Sequence, residues 1–98
     1  MFLHISKVKY IKGYTLQVTF NNGVVKLVDL QHELEGEVFE PLKQIDVFRQ
    51  VAVNPDTKTI EWANGADFAP EFLDEIGQIE YGYEEKKKFY PTMQPVPA

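Results

Sequence analysis

The stretch Tyr14–Leu30, "YTLQVTFNNGVVKLVDL", decides the fold. Tyr14, Leu16, Val18 and Phe20 alternate with Thr15, Gln17 and Thr19, the period of two that a half-buried strand shows. Asn22-Gly23 follows, and such a pair supplies the positive backbone angles of a two-residue type I′ hairpin turn. With that loop, Phe20 faces Val25, Val18 faces Leu27 and Leu16 faces Asp29. Cross-strand partners share a face, so this register gathers Phe20, Val18, Val25 and Leu27 on one apolar side. Turn chemistry and hydrophobic pattern agree on a hairpin.

Working outward, His4–Ile11, "HISKVKYI", reads as a first strand with Val8 and Tyr10 on one face and Ile5 and Ile11 on the other. A bulge, or a strand covered on both sides, would explain that broken alternation. Gly13 suits the tight turn into the next strand. Beyond Asp29 the alternation stops, and Leu30, Leu34, Phe39, Leu42, Ile45 and Phe48 recur at gaps of three to five. Short helical turns are expected around Leu30–Leu34 and Pro41–Arg49, with Gly36 ending the first and Pro41 opening the second. Asp46 is an alternative cap for a final turn, Val47–Gln50.

A second hairpin joins "QVAVN" to "KTIEW" through the turn chemistry of Pro55-Asp56-Thr57. Pairing Val53 with Ile60 sets Val51 opposite Trp62 on the same apolar face. Pro70–Ile76 then reads as a short helix, with Pro70 at its first position, Glu71 near its positive end and Gly77 stopping it. Phe68, Phe72, Leu73 and Ile76 would dock this helix on the sheet. The expectation is therefore an α+β fold. It comprises a small antiparallel sheet of two hairpins plus an N-terminal strand, with short helices packed on it.

The 98 residues allow one hydrophobic core, and 44% hydrophobic residues are enough to build it. That single domain is expected over residues 1–76, with 77–98 as a tail that is either flexible or ordered by a partner. Tyr81, Tyr83, Phe89 and Tyr90 make the tail a candidate interaction segment, since aromatics serve as interface anchors. Residues 1–76 carry 12 acidic and 7 basic side chains, a net of −5, and 77–98 carry three of each. A domain of that sign repels phosphates, which argues against direct nucleic-acid binding. There is no cysteine, so disulfides, thiolate metal sites and cysteine nucleophiles are excluded, and a reducing cytoplasm is the expected location. No membrane span or signal-peptide core is legible.

Nothing in the chain composes a recognisable catalytic set. Ser6 is the only serine, and His4 would stand about 6–7 Å from it along one strand face without an orienting third group. His32 with Asp29, Glu33 and Glu35 could be read as a metal site, but Glu33, Glu35, Glu37 and Glu40 fit a solvated acidic rim better. No cofactor or metal is expected. The segment Trp62–Asp67 supports two readings. Trp62 could be an exposed platform with Asn64 and Asp67 offering hydrogen bonds to a partner. Alternatively, Trp62 belongs to the core face, Asn64-Gly65 forms a turn, and Asp67 accepts backbone N–H bonds near the start of the Pro70 helix. Strand register favours the second. Asn64 and Asp67 are kept with Tyr81, Tyr83, Phe89 and Tyr90 as the candidate partner-binding residues.

"LQVTFNNGVVKLVDL", "VFEPLKQIDVFRQVAVNPDTKTIEWANG" and "ADFAPEFL" together resemble the small bacterial family labelled Domain of Unknown Function 2442, over about residues 3–76. The most specific part is a W-x-N-G-x-D-x-x-P-E-x-L pattern, met here by Trp62, Asn64, Gly65, Asp67, Pro70, Glu71 and Leu73. Many relatives have a proline after the tryptophan, where this chain has Ala63. The resemblance implies a small α+β fold with no established enzymatic activity. It also implies, from arrangements similar to toxin–antitoxin pairs, a protein partner encoded by an adjacent gene. Some members carry a C-terminal helix-turn-helix domain, for which the 22 residues of this tail are too short. The functional expectation is a non-enzymatic binding or regulatory module, antitoxin-like in a two-protein pair. A homo-oligomeric structural domain is the main alternative, and a small-ligand binder ranks below both.

Overall fold

In the computed structural model, residues 2–81 are described. β1 (Ile5–Lys12), β2 (Thr15–Phe20) and β3 (Val25–Asp29) form an antiparallel meander. After a 3-10 turn at Glu40–Lys43 and the single-turn helix α1 (Ile45–Phe48), β4 (Ala52–Asn54) and β5 (Thr59–Glu61) make a separate two-stranded sheet. Helix α2 (Pro70–Ile76) returns the chain to the meander, where β6 (Gln78–Tyr81) pairs antiparallel with β3 and completes the order β1-β2-β3-β6. The α+β class expected from the sequence is the architecture found. The two hairpins lie in different sheets, and a fourth strand is drawn from the first residues assigned to the tail.

The central hairpin forms, but one residue out of the expected register. Thr19 pairs with Val25, Val18 with Lys26, Gln17 with Leu27 and Leu16 with Val28. The loop is three residues, Asn21-Asn22-Gly23: Gly23 N–H donates to Phe20 carbonyl and Phe20 N–H to Val24 carbonyl, each at 2.9 Å. Only Gly23 has a positive φ (88°) there, which is a type I turn closed by a left-handed residue rather than a type I′ turn. Asn22 stays in the ordinary region and its Oδ1 accepts the Val24 N–H at 3.1 Å. A one-residue slip exchanges the faces of β3, so Val25 and Leu27 turn away from Phe20 and Val18, while Lys26 and Val28 turn towards them.

A lysine on the core face is tolerated because α2 covers it. Its side chain is 12% exposed, and its Nζ reaches both Asp74 Oδ1 and Asp74 carbonyl at 2.7 Å. The aliphatic stem stays under the helix while the ammonium emerges at its last turn. Gly77 is adapted to this contact. Its φ of −76° is not the left-handed helix stop expected, but a Cβ there would meet Leu73 carbonyl at 2.8 Å and the Lys26 stem at 3.1 Å.

The second hairpin and the last helix follow the sequence pattern. Val53 pairs with Ile60 as expected, and Pro70 opens α2, whose Leu73 is fully buried. The imperfect alternation of β1 has its physical cause in two register shifts, between Ile5 and Lys7 and between Tyr10 and Lys12. Residues 30–34 are not helical, although Leu30 and Leu34 are buried at 0% and 1% exposure, and Asp46 lies inside α1 rather than capping a later turn. Leu30, Leu34, Leu42 and Phe48 fix this irregular link by inserting into the core, each contributing about 1.5–3 kcal/mol of burial.

Those residues meet Leu16, Val18, Phe20 and Val28 of the meander, Ile60 and Trp62 of the second hairpin, and Leu73 of α2 in one cluster. Aromatic rings run through it. Tyr14 and Phe48 lie 5.2 Å apart between centroids, Phe48 and Trp62 5.6 Å, Trp62 and Phe68 6.1 Å, and Phe68 and Phe72 5.6 Å. Trp62 stands at the middle of this line.

Candidate functional site

Ile60 of β5 and Trp62, just past its end, are buried in the core, while Glu61 is half-buried and Ala63, in the turn that follows, is exposed. Trp62 is 3% exposed and its Nε1–H donates to Phe48 carbonyl at 2.7 Å, which fixes the indole against α1. Trp62 is thus a core residue with a hydrogen-bonded polar tip, and not an open platform. The chain then turns at once. Gly65 N–H donates to Trp62 carbonyl and Trp62 N–H to Ala66 carbonyl, each at 2.9 Å, with Gly65 at φ 91°.

Both polar ends of Asn64 are held by backbone. Its Oδ1 accepts the Ala66 N–H at 3.1 Å, and its Nδ2 donates to Val38 carbonyl at 2.8 Å. Asn64 therefore ties the turn to the irregular link. Asp67 is exposed and pairs with Glu61 through an isolated antiparallel bridge. The expectation that its carboxylate accepts N–H bonds at the start of α2 is corrected, because it makes no hydrogen bond among the described residues, and the N-cap Ala69 has no side chain able to make one. Tyr81 ends β6, and Tyr83, Phe89 and Tyr90 lie outside the described residues.

The structure adds a feature built from segments far apart in sequence. Along the edge of Trp62 runs an open groove made of two adjoining hollows that share Gln50, Trp62 and Ala63 in their lining. One part, about 160 Å³, is walled by Pro41, Val47 and Asn64. The other, about 420 Å³, continues over the outer side of the second hairpin past Ala52, Asn54, Pro55 and Glu61. Ala52 and Ala63 are the reason for the hollow, since their short side chains leave the hairpin surface open between longer neighbours. Val47 is 38% exposed and Val38, whose carbonyl holds Asn64, is 44% exposed, so apolar surface extends to the rim.

The lining holds one ionisable group, Glu61, and no hydroxyl, thiol or imidazole. Most of its amide groups are engaged within the protein. Gln50 Nε2 donates to Asp46 carbonyl at 2.7 Å, and Asn54 Nδ2 donates to Glu61 Oε1 at 2.6 Å. Such a surface can receive an apolar side chain, but it offers no nucleophile beside an oriented base. Ser6 Oγ donates to Thr19 carbonyl at 3.1 Å, and His32 is exposed. No three His, Asp or Glu side chains converge on a metal-sized site among the described residues.

Sequence reasoning missed Pro41, Val47, Gln50, Ala52 and Glu61. The available signal was the outward set Ala52, Glu61 and Ala63 on a hairpin whose register was already legible. The family model described as "Protein of unknown function (DUF2442)" matches residues 5–75. No curated protein and no solved structure matches the chain.

Proposed function

The chain belongs to the DUF2442 family, whose function is unknown, and we propose that it is a non-enzymatic protein-binding module that receives an apolar side chain of a protein partner in the groove beside Trp62. The observation that carries this reading is the groove itself. Its lining is mostly apolar, its amides are largely engaged, and it runs along the edge of an indole held by a hydrogen bond. An exposed apolar hollow with polar surroundings is the kind of surface that partners cover. An acidic chain without a reactive constellation fits a protein partner better than a nucleic acid or a covalent substrate. We place the module in the cytoplasm on the absence of cysteine, as the antitoxin-like member of a two-protein pair with the product of an adjacent gene.

The test is co-expression with that product and co-purification against the Ala63→Trp variant. Ala63 is exposed, so its replacement fills the groove without disturbing the core. Co-purification with the natural chain and its loss in Ala63→Trp, at an unchanged melting temperature, is the expected result. Retention of the partner by Ala63→Trp would remove the groove from the interface, and no association at all would sink the paired-protein reading. A second reading, self-association, is favoured by one observation: β6 ends the four-stranded sheet with Ile79 43% exposed on it. Light scattering over a concentration series separates the two, because a monomer throughout eliminates the second.

A further inference from the structure

We infer that the segment received by this groove is an extended chain pairing an aliphatic residue with a lysine or arginine two positions away; the inference rests on the groove-binding reading above. The aliphatic half follows from the smaller hollow, whose walls are Pro41, Val47 and Ala63 against the Trp62 edge. Its volume of about 160 Å³ suits one branched aliphatic side chain and leaves no room for a second element of structure.

The cationic half follows from Glu61 and Asp67. The two residues face each other across an antiparallel bridge. Side chains so paired have Cβ atoms about 4.5–5.5 Å apart, and like charges there are destabilising. Asn54 Nδ2 donates to one oxygen of Glu61 at 2.6 Å, but it is neutral and leaves the charge of the carboxylate uncompensated. Neither carboxylate takes part in a salt bridge among the described residues, whose ion pairs are Lys26–Asp74 and Lys43–Glu40. Lys58, on the same hairpin, donates to Pro55 carbonyl at 3.4 Å and makes no salt bridge to Glu61. A cation brought by the partner to Glu61, which lines the larger hollow, would have Asp67 as a second carboxylate across the bridge, with an apolar wall on one side to limit its screening.

The spacing follows from strand geometry. The larger hollow reaches Glu61 and the smaller one Ala63, two positions on in the chain, and residues i and i+2 of an extended partner, about 6–7 Å apart, would span the same two sites. The occupant is therefore an aliphatic-x-basic segment. Its apolar residue enters beside Ala63 and its cation reaches Glu61 and Asp67.

Selection of a random dodecapeptide display library on the immobilised full chain tests this. The expected outcome is enrichment of peptides in which Leu, Ile or Val precedes or follows Lys or Arg by two positions. Binding of those peptides should fall about tenfold or more in Ala63→Trp, and several-fold in Glu61→Gln with loss of its salt dependence. Enriched peptides that are lost in Ala63→Trp but carry no basic residue, or bind Glu61→Gln unchanged, overturn the inference while leaving the groove-binding reading intact. Peptides that bind Ala63→Trp as well as the natural chain overturn both. Thermal melting of each variant is the control. Glu61→Gln retains the Asn54 hydrogen-bond acceptor and is expected to melt at or above the natural chain, since it relieves the Glu61–Asp67 repulsion.

Discussion

Phe20-Asn21-Asn22-Gly23-Val24 and Trp62-Ala63-Asn64-Gly65-Ala66 close in the same way. In each, the glycine N–H returns to the aromatic carbonyl, the aromatic N–H bonds the fifth residue, and the asparagine before glycine accepts from that fifth residue's N–H at 3.1 Å. The glycines stand at φ 88° and 91°. Five positions of aromatic, any residue, Asn, Gly and a small apolar residue thus specify one turn twice. What differs is the tether. At the first turn, the residue after the aromatic holds the N-terminus: Asn21 Nδ2 donates to Phe2 carbonyl, and its Oδ1 accepts from His4 N–H. At the second, Asn64 holds Val38, and the residue after the aromatic is Ala63, exposed in the groove wall. Identical backbone chemistry leaves one turn tied to its own chain's N-terminus and the other with an exposed second residue in the groove lining.

The largest effects should come from the aromatic at the head of each turn, and they should differ. Phe20 and Trp62 are 1% and 3% exposed, so replacement of either by alanine costs about 3–5 kcal/mol of unfolding free energy. Trp62→Ala belongs at the upper end, because it also leaves Phe48 carbonyl without its indole donor, a further loss of about 1 kcal/mol. Urea unfolding measures both. A Trp62→Ala cost under about 1 kcal/mol would mean that Trp62 is not part of the core.

The glycines test whether the two turns are equivalent. A Cβ at Gly23 or at Gly65 meets nothing within 4 Å, so alanine there pays only the left-handed backbone conformation, about 1–2 kcal/mol. The two costs should agree within about 0.5 kcal/mol, because the two glycines share nearly the same φ and the same open space. A much larger loss at Gly65 would show that the Trp62 turn is under strain that the Phe20 turn lacks.

These turns also mark how much of the molecule is legible in the sequence. Alternation in Thr15–Phe20 and Asn22-Gly23 sufficed to find the central hairpin, but an Asn-Gly pair serves both a two-residue loop and a three-residue loop. The choice depends on whether Asn takes the left-handed region, and here it does not. One residue of loop length was enough to put Lys26 on the core face, where local pattern would place Val25 or Leu27. That placement is sensible only once α2 has brought Asp74 to it. Helix α2 was legible because its signals are local: a proline at the first position and apolar spacing behind it. The groove was not, because its walls come from residues 41–50, 52–55 and 61–64, which only tertiary packing joins. Asn64 and Asp67 were visible as unusual residues. Which of them is bound to backbone and which is left to face another carboxylate depends on Val38 and Glu61, neither adjacent in sequence to both.

The smallest effect is the sharpest test of the comparison, because its sign should reverse between the turns. Ala63 and Asn21 each occupy the second position of a type I turn, where proline is favoured because its fixed φ matches the turn. Each follows an aromatic residue in extended backbone, which a following proline also requires. Ala63 N–H makes no hydrogen bond among the described residues, and the side chain is exposed. Ala63→Pro should therefore stabilise the protein by about 0.4–1 kcal/mol, chiefly by restricting the unfolded chain. Asn21 N–H donates to His4 carbonyl at 2.9 Å, so Asn21→Pro removes that bond together with both side-chain tethers and should destabilise. Paired thermal melts decide the matter. If Ala63→Pro destabilises as Asn21→Pro does, the open turn carries a backbone constraint of its own, and the likeness of the two turns stops at their hydrogen bonds.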